Sequence, residues 1–381
     1  MHPAQPVYCP PHSRWGGGRG ASVWGIVMIR TGIVGYGLAG RLFHAYLVSR
    51  TEGLELAAVA SRDPARRAQA RRDGSVDTYR TLTDLLADDG IQLIILATPH
   101  HTHASLAIEA MEAGRHVVVD KVMCMSAAEA GEMIAVSRRR GVMLSVFHNR
   151  RWDWGYLTVR KAIEDGLLGE PFLVERAVHR FRASRGWRTS RADSGGLLYD
   201  WGAHLVDQGL QLMAGRPEAV HCKGHKRLWE GDIEDHVTCT LYFGTGTEYR
   251  MEISNLSHIS KPHWYVLGTR GSLVKTGLDP QEDWMKKGRI EDAVEAPEDR
   301  VLVAAERDGT VEEKILDPVK GSWVDYYRNI AAVLAEGAEL AVQPREMLDL
   351  MKVLDAATES MKSGRVVSMN RGSARIRNPG E

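Results

Sequence analysis

Residues 29–45, IRTGIVGYGLAGRLFHA, give the strongest indication of how this 381-residue chain folds. An apolar, β-branched run leads into the turn Gly35-Tyr36-Gly37-Leu38-Ala39-Gly40, and the apolar residues after the turn recur at helical spacing. Strand, glycine turn and helix in this order are typical of a dinucleotide-binding unit. In such a unit the glycines permit the turn, the approach of a pyrophosphate and the close packing of helix on strand. We predict that these six turn residues contact the cofactor, whose phosphates would lie at the helix N-terminus. The alternative is a βα turn that binds nothing.

Length and composition narrow the class of protein. A chain of 381 residues is too long for one small core, and we expect two domains. The formal net charge of zero argues against nucleic acid or an anionic membrane as the main partner. No apolar run reaches the roughly 18 residues that span a bilayer. The four cysteines (Cys9, Cys124, Cys222 and Cys239) are far apart in sequence and form no CxxC pair, which indicates reduced thiols and a cytoplasmic protein.

The first 27 residues differ from the rest of the chain in composition and in hydrophobic pattern. They are rich in Pro, Gly and Arg and show no apolar periodicity before Val23, so we predict a disordered extension over residues 1–27. The short apolar run at 21–29 lacks a small-residue cleavage site and follows no twin arginine, which argues against an export signal. The run continues directly into the first strand, and Met28 at the head of that strand is a candidate for the true start.

Alternating strand and helix patterns continue to about residue 149. Nearly continuous apolar runs predict strands at 54–60, 91–97, 116–119 and 142–147, and helical patterns separate them at 64–73, 82–86, 103–113 and 127–140. Units of this length specify a doubly wound parallel sheet. We therefore predict an α/β chain with an NAD(P)-binding Rossmann domain over residues 28–149.

Strand patterns dominate beyond residue 149. We predict helices at 156–164, 196–213, 323–335 and 345–362, and strands at 171–181, 219–226, 236–243, 248–254, 263–267 and 272–276. Adjacent strands of this kind indicate an α+β domain over residues 150–365 with a large, mostly antiparallel open sheet. Helices can cover one face of that sheet, and a second subunit is the expected cover for the other. Residues 279–300 are acidic and are predicted to form an irregular surface excursion, and residues 366–381 a polar tail.

The end of the second predicted strand bears on the choice of cofactor. An acidic residue at this position would bind the ribose hydroxyls of NAD, but Ser61 and Arg62 stand there instead. A hydroxyl and a guanidinium can hold a 2′-phosphate, so the sequence favours NADP(H) over NAD. The alternative is that Arg62 is a solvated loop residue and that NAD is used. Asp63, which precedes a proline, is expected to cap the next helix.

Three histidines follow the predicted strand at 91–97. They lie in the segment Thr98-Pro99-His100-His101-Thr102-His103. A doubly wound sheet places its ligand crevice at this end of its strands. Loop spacing this tight rarely gives three convergent metal ligands, and no acidic residue joins them, so we predict no metal site. We expect Thr98 and Pro99 to line the nicotinamide pocket and His103, near the start of the next helix, to contact the cofactor.

Lys121 follows the apolar strand that ends at Val119. A lysine at the carboxyl end of a buried parallel strand points into the cofactor crevice, where its ammonium can polarise a substrate oxygen. The alternative is a surface lysine whose stem lies along apolar surface.

A second constellation lies in the predicted helix that begins near Gly196. Asp200 and His204 are i and i+4, hence one turn apart on one helix face, which they share with Gly196 and Asp207. A carboxylate beside an imidazole favours the charged imidazole, which suits a base that must hold a proton. The alternative is an Asp–His pair with a structural role only.

A basic segment precedes this helix. It contains Trp187 and the arginines Arg176, Arg180, Arg182, Arg185, Arg188 and Arg191. Such a run can clamp an acidic substrate or a phosphate, but it is more often a solvated loop, and we favour the solvated loop.

These residues together give the chain a resemblance to the glucose-fructose oxidoreductase/inositol dehydrogenase/MocA family of NAD(P)-dependent sugar and cyclitol oxidoreductases. The resemblance covers about residues 28–365 and is carried by GYGLAGRLFHA, ATPHHTH, VVVDKV and GGLLYDWGAHLVDQ. The segment FHNRRWDWGYLTV, residues 147–159, is similar to the branch that contains NADP-dependent scyllo-inositol dehydrogenases.

The resemblance implies a catalytic Lys, Asp and His, which fall on Lys121, Asp200 and His204. The family usually has Glu-Lys-Pro where this chain has Asp120-Lys121-Val122, which puts rate and substrate in doubt more than reaction type. We predict that Asp120 and Lys121 also contact the cofactor. Members of the family tend to form dimers or tetramers through the open sheet.

We therefore predict reversible hydride transfer between NAD(P), with NADP(H) favoured, and a secondary alcohol of a sugar or cyclitol. His204 would take the hydroxyl proton, Lys121 would stabilise the oxyanion, and Asp200 would orient His204. Asn149, Arg150 and Trp152, just past the last Rossmann strand, would line the sugar site together with these three residues. Two alternatives stay open: a glycoside hydrolase or lyase that recycles bound NAD internally, and a non-catalytic nucleotide-binding regulator.

Overall fold

The computed structural model of the chain describes residues 28–369. The predicted disordered extension, and the part of the predicted tail after residue 369, lie outside the described residues. Between these limits the chain forms two sheets, each with its own helices.

The first sheet is parallel throughout. Its strands are β1 (Ile29–Val34), β2 (Leu54–Ala60), β3 (Asp77–Tyr79), β4 (Leu93–Leu96), β5 (His116–Val119) and β6 (Leu144–Val146). They lie in the order β3-β2-β1-β4-β5-β6, so the winding reverses between β1 and β4 and opens a crevice at the carboxyl ends of these two strands. The predicted doubly wound sheet is confirmed. The edge strand β3 was not expected, because its three residues are polar and only partly buried.

Helices cover both faces of this sheet. They are α1 (Tyr46–Val48), which continues a π-helical turn (Ala39–Ala45), then α2 (Pro64–Asp73), α3 (Leu82–Leu86), α4 (His103–Glu112), which follows a 3-10 turn (His100–Thr102), and α5 (Ala127–Arg140). Helix α2 begins as predicted, because the Asp63 carboxylate accepts a hydrogen bond from the backbone of Ala65 at 2.9 Å.

The second sheet is mixed. Its strands are β7 (Pro171–His179), β8 (Pro217–His225), β9 (His236–Phe243), β10 (Glu248–Ser254), β11 (Trp264–Gly268), β12 (Gly271–Lys275), β13 (Leu302–Arg307), β14 (Thr310–Ile315) and β15 (Val367–Ser368). They lie in the order β14-β13-β12-β11-β7-β10-β9-β8-β15. Strands β7 and β10 pair in parallel, and the other pairs are antiparallel. The predicted mostly antiparallel sheet is therefore confirmed.

The helices of this half are α6 (Trp154–Glu164), α7 (Arg191–Ser194), α8 (Leu197–Leu212), α9 (Gln281–Lys286), α10 (Val324–Glu336) and α11 (Pro344–Ser363), with 3-10 turns at Asn149–Trp152, Gly186–Thr189, Ile290–Asp292 and Pro297–Asp299. Helices α8 and α11 lie on one face of the sheet. The Tyr249 hydroxyl donates to the carbonyl of Leu205 in α8 at 2.7 Å, and the Ser360 hydroxyl of α11 accepts from the backbone of Cys222 at 2.9 Å. The second sheet is thus held against the helix that carries Asp200 and His204.

Two expectations for this half need correction. Residues 279–300 are not a surface excursion, since Asp279 is buried and Glu295 forms a buried ion pair of 3.0 Å with Lys275. Glu295 thereby compensates the buried ammonium of Lys275. The predicted polar tail also begins too early, because Val367 and Ser368 pair with β8.

The described cysteines and helices bear on the expected reduced thiols and on the expected lack of a membrane-spanning segment. Cys124, Cys222 and Cys239 are buried free thiols, and Cys222 lies opposite Cys239 across β8 and β9. Cys9 lies outside the described residues. Within residues 28–369, every helix is too short or too polar to cross a membrane.

Candidate active site

The glycines of the β1 turn have three different surroundings. Gly35 has a φ of +94°, and a Cβ there would overlap the carbonyl oxygen of Ala97. A Cβ on Gly40 would overlap the carbonyl oxygen of Gly35, so this glycine lets helix and strand pack closely. At Gly37 the nearest atom to an added Cβ is Nη1 of Arg66 at 3.6 Å, which leaves the backbone open to a ligand. This is the arrangement that a pyrophosphate at the helix N-terminus requires.

A cleft of about 840 Å³, here the outer cavity, lies at the carboxyl ends of β1, β2 and β4. Gly35, Gly37, Leu38 and Ala39 line it, together with Ser61, Arg62, Thr98, Pro99 and Asp120. Tyr36 and Gly40 do not, since the Tyr36 hydroxyl donates to Asp73 at 3.1 Å and Gly40 packs against β1. The volume suits a dinucleotide, and the donor groups suit its phosphates.

One end of the outer cavity is basic. Arg62, Arg66 and Arg80 line it beside Ser61 and Thr81. The neighbouring Asp63 carboxylate accepts from Ala65 and lies 3.4 Å from Nε of Arg66, so its charge is compensated. The residues at this end therefore fit a 2′-phosphate, which bidentate guanidinium groups bind well. Sequence reasoning did not find Arg80, because it follows the unpredicted strand β3.

The three histidines after β4 point to three different partners. His100 is buried, with Nδ1 2.7 Å from the carbonyl oxygen of Ser194, and His101 Nδ1 lies 3.2 Å from Asp193. The ring nitrogens of His103 lie 2.7 and 2.9 Å from the carbonyl oxygens of Val122 and Thr98. The described residues contain no group of His, Cys, Asp or Glu arranged to hold a metal ion.

His103 is placed differently from the prediction. Its side chain is fully buried and lines neither cavity, and its two ring nitrogens tie the β4 loop to the β5 loop. Its burial follows from helix α4, on which His103 shares the core-facing side with Ala107 and Ala110.

A second cleft, here the inner cavity, adjoins the outer one and shares Leu38, Ala39, Asp120 and Arg188 with it. Its volume of about 250 Å³ suits a small polar molecule. Lys121, Asp200, His204, Asn149 and Arg150 line it. The structure thus brings together residues from β5, β6 and α8 that were singled out separately in the sequence. Trp152 lies outside this lining, because its ring packs on Tyr326 at a centroid distance of 6.0 Å.

Lys121 and Asp200 form an ion pair across the two domains. The Lys121 ammonium donates to Oδ1 of Asp200 at 2.5 Å and to the carbonyl oxygen of Asp200 at 2.9 Å. Burial alone would raise the pKa of the Asp200 carboxyl, but Lys121 and Arg188 hold that pKa well below its usual range. Asp200 therefore fixes the orientation of the Lys121 side chain in the inner cavity.

His204 has a different environment from the predicted one. Asp200 binds Lys121, and within residues 28–369 the Nδ1 atom of His204 has no hydrogen-bond partner. Burial, followed by the positive charges of Lys121 and Arg150, lowers the pKa of His204 well below its ordinary value. The expected carboxylate–imidazole pair is thus wrong. His204 is neutral at pH 7 and is able to accept a proton.

A buried network lies behind His204. The ring of His148 packs edge-on against His204 at 5.6 Å, and His148 Nδ1 lies 3.6 Å from Asp207. The guanidinium of Arg151 donates to Asp207 at 2.6 and 2.9 Å. Desolvation lowers the pKa of His148 to about 4, so the imidazole is neutral at pH 7. Asp207 was expected on this face, but His148 was not singled out, although it lies within the segment FHNRRWDWGYLTV, residues 147–159.

Asp120 replaces the family's usual glutamate and is held from both sides. Its Oδ1 accepts from the backbone of Lys121 at 2.9 Å and lies 3.6 Å from Nε2 of His44, whose Nδ1 is 2.6 Å from the Tyr327 hydroxyl. Burial opposes ionisation, but His44 and Lys121 lower the pKa of Asp120 to about 2. The Lys121–Val122 peptide bond is cis.

Arg150 closes one wall of the inner cavity. It donates to Glu282 of α9 at 2.9 Å and to Asp153 at 3.2 Å, and its guanidinium lies 4.5 Å from the ring centroid of Trp201. Glu282 thereby enters the site from the acidic stretch that was predicted to lie on the surface.

The basic segment also needs correction. Arg180, Arg182, Arg185 and Arg188 line the inner cavity, and Arg176 is buried beneath Trp264. The segment is fixed to the first domain because Trp187 packs on His100 at a ring distance of 4.7 Å. It is therefore a wall of the site, and only Arg182 and Arg185 at its rim are exposed as expected for a solvated loop.

Comparison with known proteins agrees with this architecture. Residues 29–148 match the GFO/IDH/MocA model described as an oxidoreductase family with an NAD-binding Rossmann fold, and residues 156–274 match the GFO/IDH/MocA C-terminal domain. The chain is 30% identical to the scyllo-inositol 2-dehydrogenase (NADP(+)) IolW of Bacillus subtilis (strain 168), over 90% of this chain and 96% of that protein.

Two further similarities cover nearly the same span. The chain is 34% identical to the uncharacterized oxidoreductase YdgJ of Escherichia coli (strain K12), over 88% of this chain and 96% of that protein. The solved structure of yvaA from Bacillus subtilis is similar with a TM-score of 0.83 at 29% identity, covering 91% of this chain and 99% of the other.

Proposed function

Because this chain belongs to the GFO/IDH/MocA family of oxidoreductases with an NAD-binding Rossmann fold, we propose that it transfers a hydride between NADP(H) and a secondary alcohol or ketone of a sugar, sugar derivative or cyclitol. The observation that carries the proposal is the meeting of Lys121, Asp200 and His204 in the inner cavity, which adjoins the outer one. The similarity to a scyllo-inositol dehydrogenase supports the substrate class.

In alcohol oxidation His204 and Lys121 have different roles. A bound nicotinamide supplies the acceptor for the hydride that leaves the carbinol carbon. Neutral His204 accepts the hydroxyl proton as the carbon–oxygen double bond forms. Lys121, fixed by Asp200, stabilises negative charge that develops on the oxygen. In ketone reduction His204 returns the proton, so the same groups serve both directions.

The preference for NADP(H) rests on the basic end of the outer cavity. We expect Arg62→Ala to weaken NADPH binding by about 1.5–3 kcal/mol, because it removes one charge-assisted contact to the 2′-phosphate. NADH binding should change little, since NADH lacks that phosphate. Calorimetric titration of both reduced cofactors measures the difference. Arg72→Ala is the control: Arg72 lies on α2, which follows the loop that carries Arg62, and it is outside the outer-cavity lining. A wild-type preference for NADH, or equal weakening of both cofactors by Arg62→Ala, would contradict the assignment.

The activity itself is tested by a substrate panel. The protein is incubated with inositols and sugars and with each oxidised cofactor, and absorbance of the reduced nicotinamide is followed. We expect net reduction of NADP⁺ in proportion to the ketone formed. Cleavage of a glycoside without net cofactor turnover would indicate the hydrolase or lyase alternative. Tight NADPH binding with no turnover of any kind would indicate a regulator.

We also propose that the protein is a homodimer or homotetramer joined through the face of the second sheet opposite α8. On that face Tyr265, Glu175, Arg250 and Thr240 form a cross-strand row, and Arg250 lies 3.7 Å from Glu175. A second copy would cover this broad face, as homo-oligomers commonly do. The free buried thiols support a reducing, cytoplasmic location.

Light scattering at micromolar concentration should give a mass at least twice the 42.3 kDa of one chain. Tyr265→Glu should lower the mass toward that of one chain, because it places a second carboxylate beside Glu175 in the contact. Arg307→Gln, at the exposed end of β13, should leave the mass unchanged. A monomeric wild type would refute the proposed assembly.

A further inference from the structure

The inner cavity carries more positive than negative charge. Its cationic lining residues are Lys121, Arg150, Arg180, Arg182, Arg185 and Arg188, and its acidic ones are Asp120, Asp200 and Glu282. Each acidic residue already has a cationic or imidazole neighbour: Asp200 has Lys121, Glu282 has Arg150, and Asp120 has His44. Lys121 and Arg150 are therefore compensated within the protein, and the arginines of the basic segment are the source of the excess charge.

Arg180 is the clearest case of an uncompensated cation. Its Nε donates to the amide oxygen of Asn255 at 3.0 Å, and its guanidinium lies 5.2 Å from the ring centroid of Trp201. The ring of Trp201 also contacts Arg150, so two guanidinium groups share one aromatic partner. Among residues 28–369, no carboxylate lies within 4 Å of the Arg180 side-chain nitrogens. The carboxylates of Asp200 and Glu282 act on Arg180 only from beyond 4 Å, and each already has a closer cation in Lys121 or Arg150. A partly buried guanidinium whose direct contacts are a neutral amide and an aromatic ring favours an anionic ligand.

Arg182 and Arg185 extend the positive wall. Both are exposed at the rim, and in the described part of the chain neither forms an ion pair. Nε of Arg188 lies 3.9 Å from Oδ2 of Asp200, and Arg188 lines both cavities, so it lies at the boundary between them. Arg180, Arg182 and Arg185 line the inner cavity but not the outer one. Their charges therefore face the inner cavity, whereas Gly35 and Gly37 of the glycine turn line the outer one.

We propose that the polyol substrate carries a carboxylate or a phosphate, and that Arg180, Arg182 and Arg185 bind this anionic group. This inference rests on the proposed function and narrows its substrate class. The guanidinium groups would fix the orientation of the polyol so that one secondary hydroxyl meets Lys121 and His204. The excess positive charge at the cavity would also raise the rate at which anionic substrates associate. Neutral sugars and inositols would lack both effects.

The test compares matched compounds that differ in charge. The panel contains glucose, glucuronate and glucose 6-phosphate, together with myo-inositol and myo-inositol 1-phosphate. Steady-state kcat and KM are measured with NADP⁺, and the same compounds are titrated calorimetrically into the NADPH-bound enzyme. We expect a charged compound to show a KM and a Kd at least about 10-fold lower than those of its neutral counterpart. The carboxylate and phosphate members show which anion is preferred.

Substitution of the arginines then locates the anion site. Arg180→Gln should raise the KM for the preferred charged compound by about 10-fold or more while changing its kcat less. Arg185→Gln, at the exposed rim, tests the same site without a risk to folding. Arg307→Gln is the control for a general loss of positive charge, and NADPH affinity is measured for every variant.

The outcomes separate this inference from the proposed function. Equal KM and Kd values for neutral and charged compounds overturn the anion site even if NADP⁺ is reduced. Weaker NADPH binding by Arg180→Gln with an unchanged preference also overturns it, because the arginines then serve the cofactor. If charged compounds bind in an Arg180-dependent way but none is oxidised, the anion site stands and the proposed function fails.

Discussion

His204→Asn should lower the turnover of alcohol oxidation by about 10²–10⁴-fold, because asparagine cannot accept the hydroxyl proton. The wild-type imidazole is suited to this step because burial and the charges of Lys121 and Arg150 keep it neutral. NADPH affinity and Tm should stay near the wild-type values, since Nδ1 of His204 makes no hydrogen bond within the described residues. Turnover, calorimetry and thermal melting on one preparation measure all three quantities.

The pH profile gives a second test of His204. A general base must be deprotonated to act, so the oxidation rate falls only as the pH drops through the pKa of that base. Since the pKa of His204 lies well below its ordinary value, we expect kcat/KM for oxidation to show no His204-dependent loss between about pH 8 and 6.5. His225→Asn, on β8 outside both cavities, is the control.

Near-normal turnover in His204→Asn would remove the imidazole from the mechanism.

Lys121→Met should lower turnover by about 10²–10³-fold, because it removes the charge that stabilises the developing oxyanion. It also leaves the Asp200 carboxylate without its principal partner, so the free energy of unfolding should fall by about 1–3 kcal/mol. The acid limb of the pH profile should move to higher pH, because Lys121 is, after burial, the main cause of the low pKa of His204.

A double variant separates the chemical role of Lys121 from its structural one. In Lys121→Met/Asp200→Asn the unpaired carboxylate is gone, so stability should recover relative to the single variant while turnover stays low. Lys161→Met, which removes an exposed lysine paired with Asp165, is the control. Recovery of turnover along with stability in the double variant would assign Lys121 a structural role only.

The first domain was largely predictable from the sequence because its signals are local. Strands β2 and β5 are continuous apolar runs, and Asp63-Pro64 defines the start of α2 through its own side chain. Strands β3 and β14 were missed because their residues are largely polar and partly or fully exposed, so that only pairing with a neighbour makes them strands. Strand β13 was missed although it begins with the short apolar run Leu302–Ala305.

The sequence identified most residues of the site but not which of them contact each other. Helical spacing places Asp200 and His204 one turn apart, but it cannot show that Lys121 reaches Asp200 from another domain. Glu282 was missed for the same reason, because its role depends on the hydrogen bond from Arg150, a residue far away in sequence. The basic segment was misread for a related reason, since the contact of Trp187 with His100 that fixes it joins residues far apart in the chain.

Direct transfer of a substrate hydrogen to the cofactor tests the central claim. The polyol with the highest kcat/KM in the panel is prepared with deuterium on its carbinol carbons and incubated with NADP⁺, and the mass of the reduced cofactor is measured. We predict one deuterium in each NADPH formed and a ketone product in equal amount. NADPH without deuterium, or product formed without reduced cofactor, would contradict hydride transfer at this site.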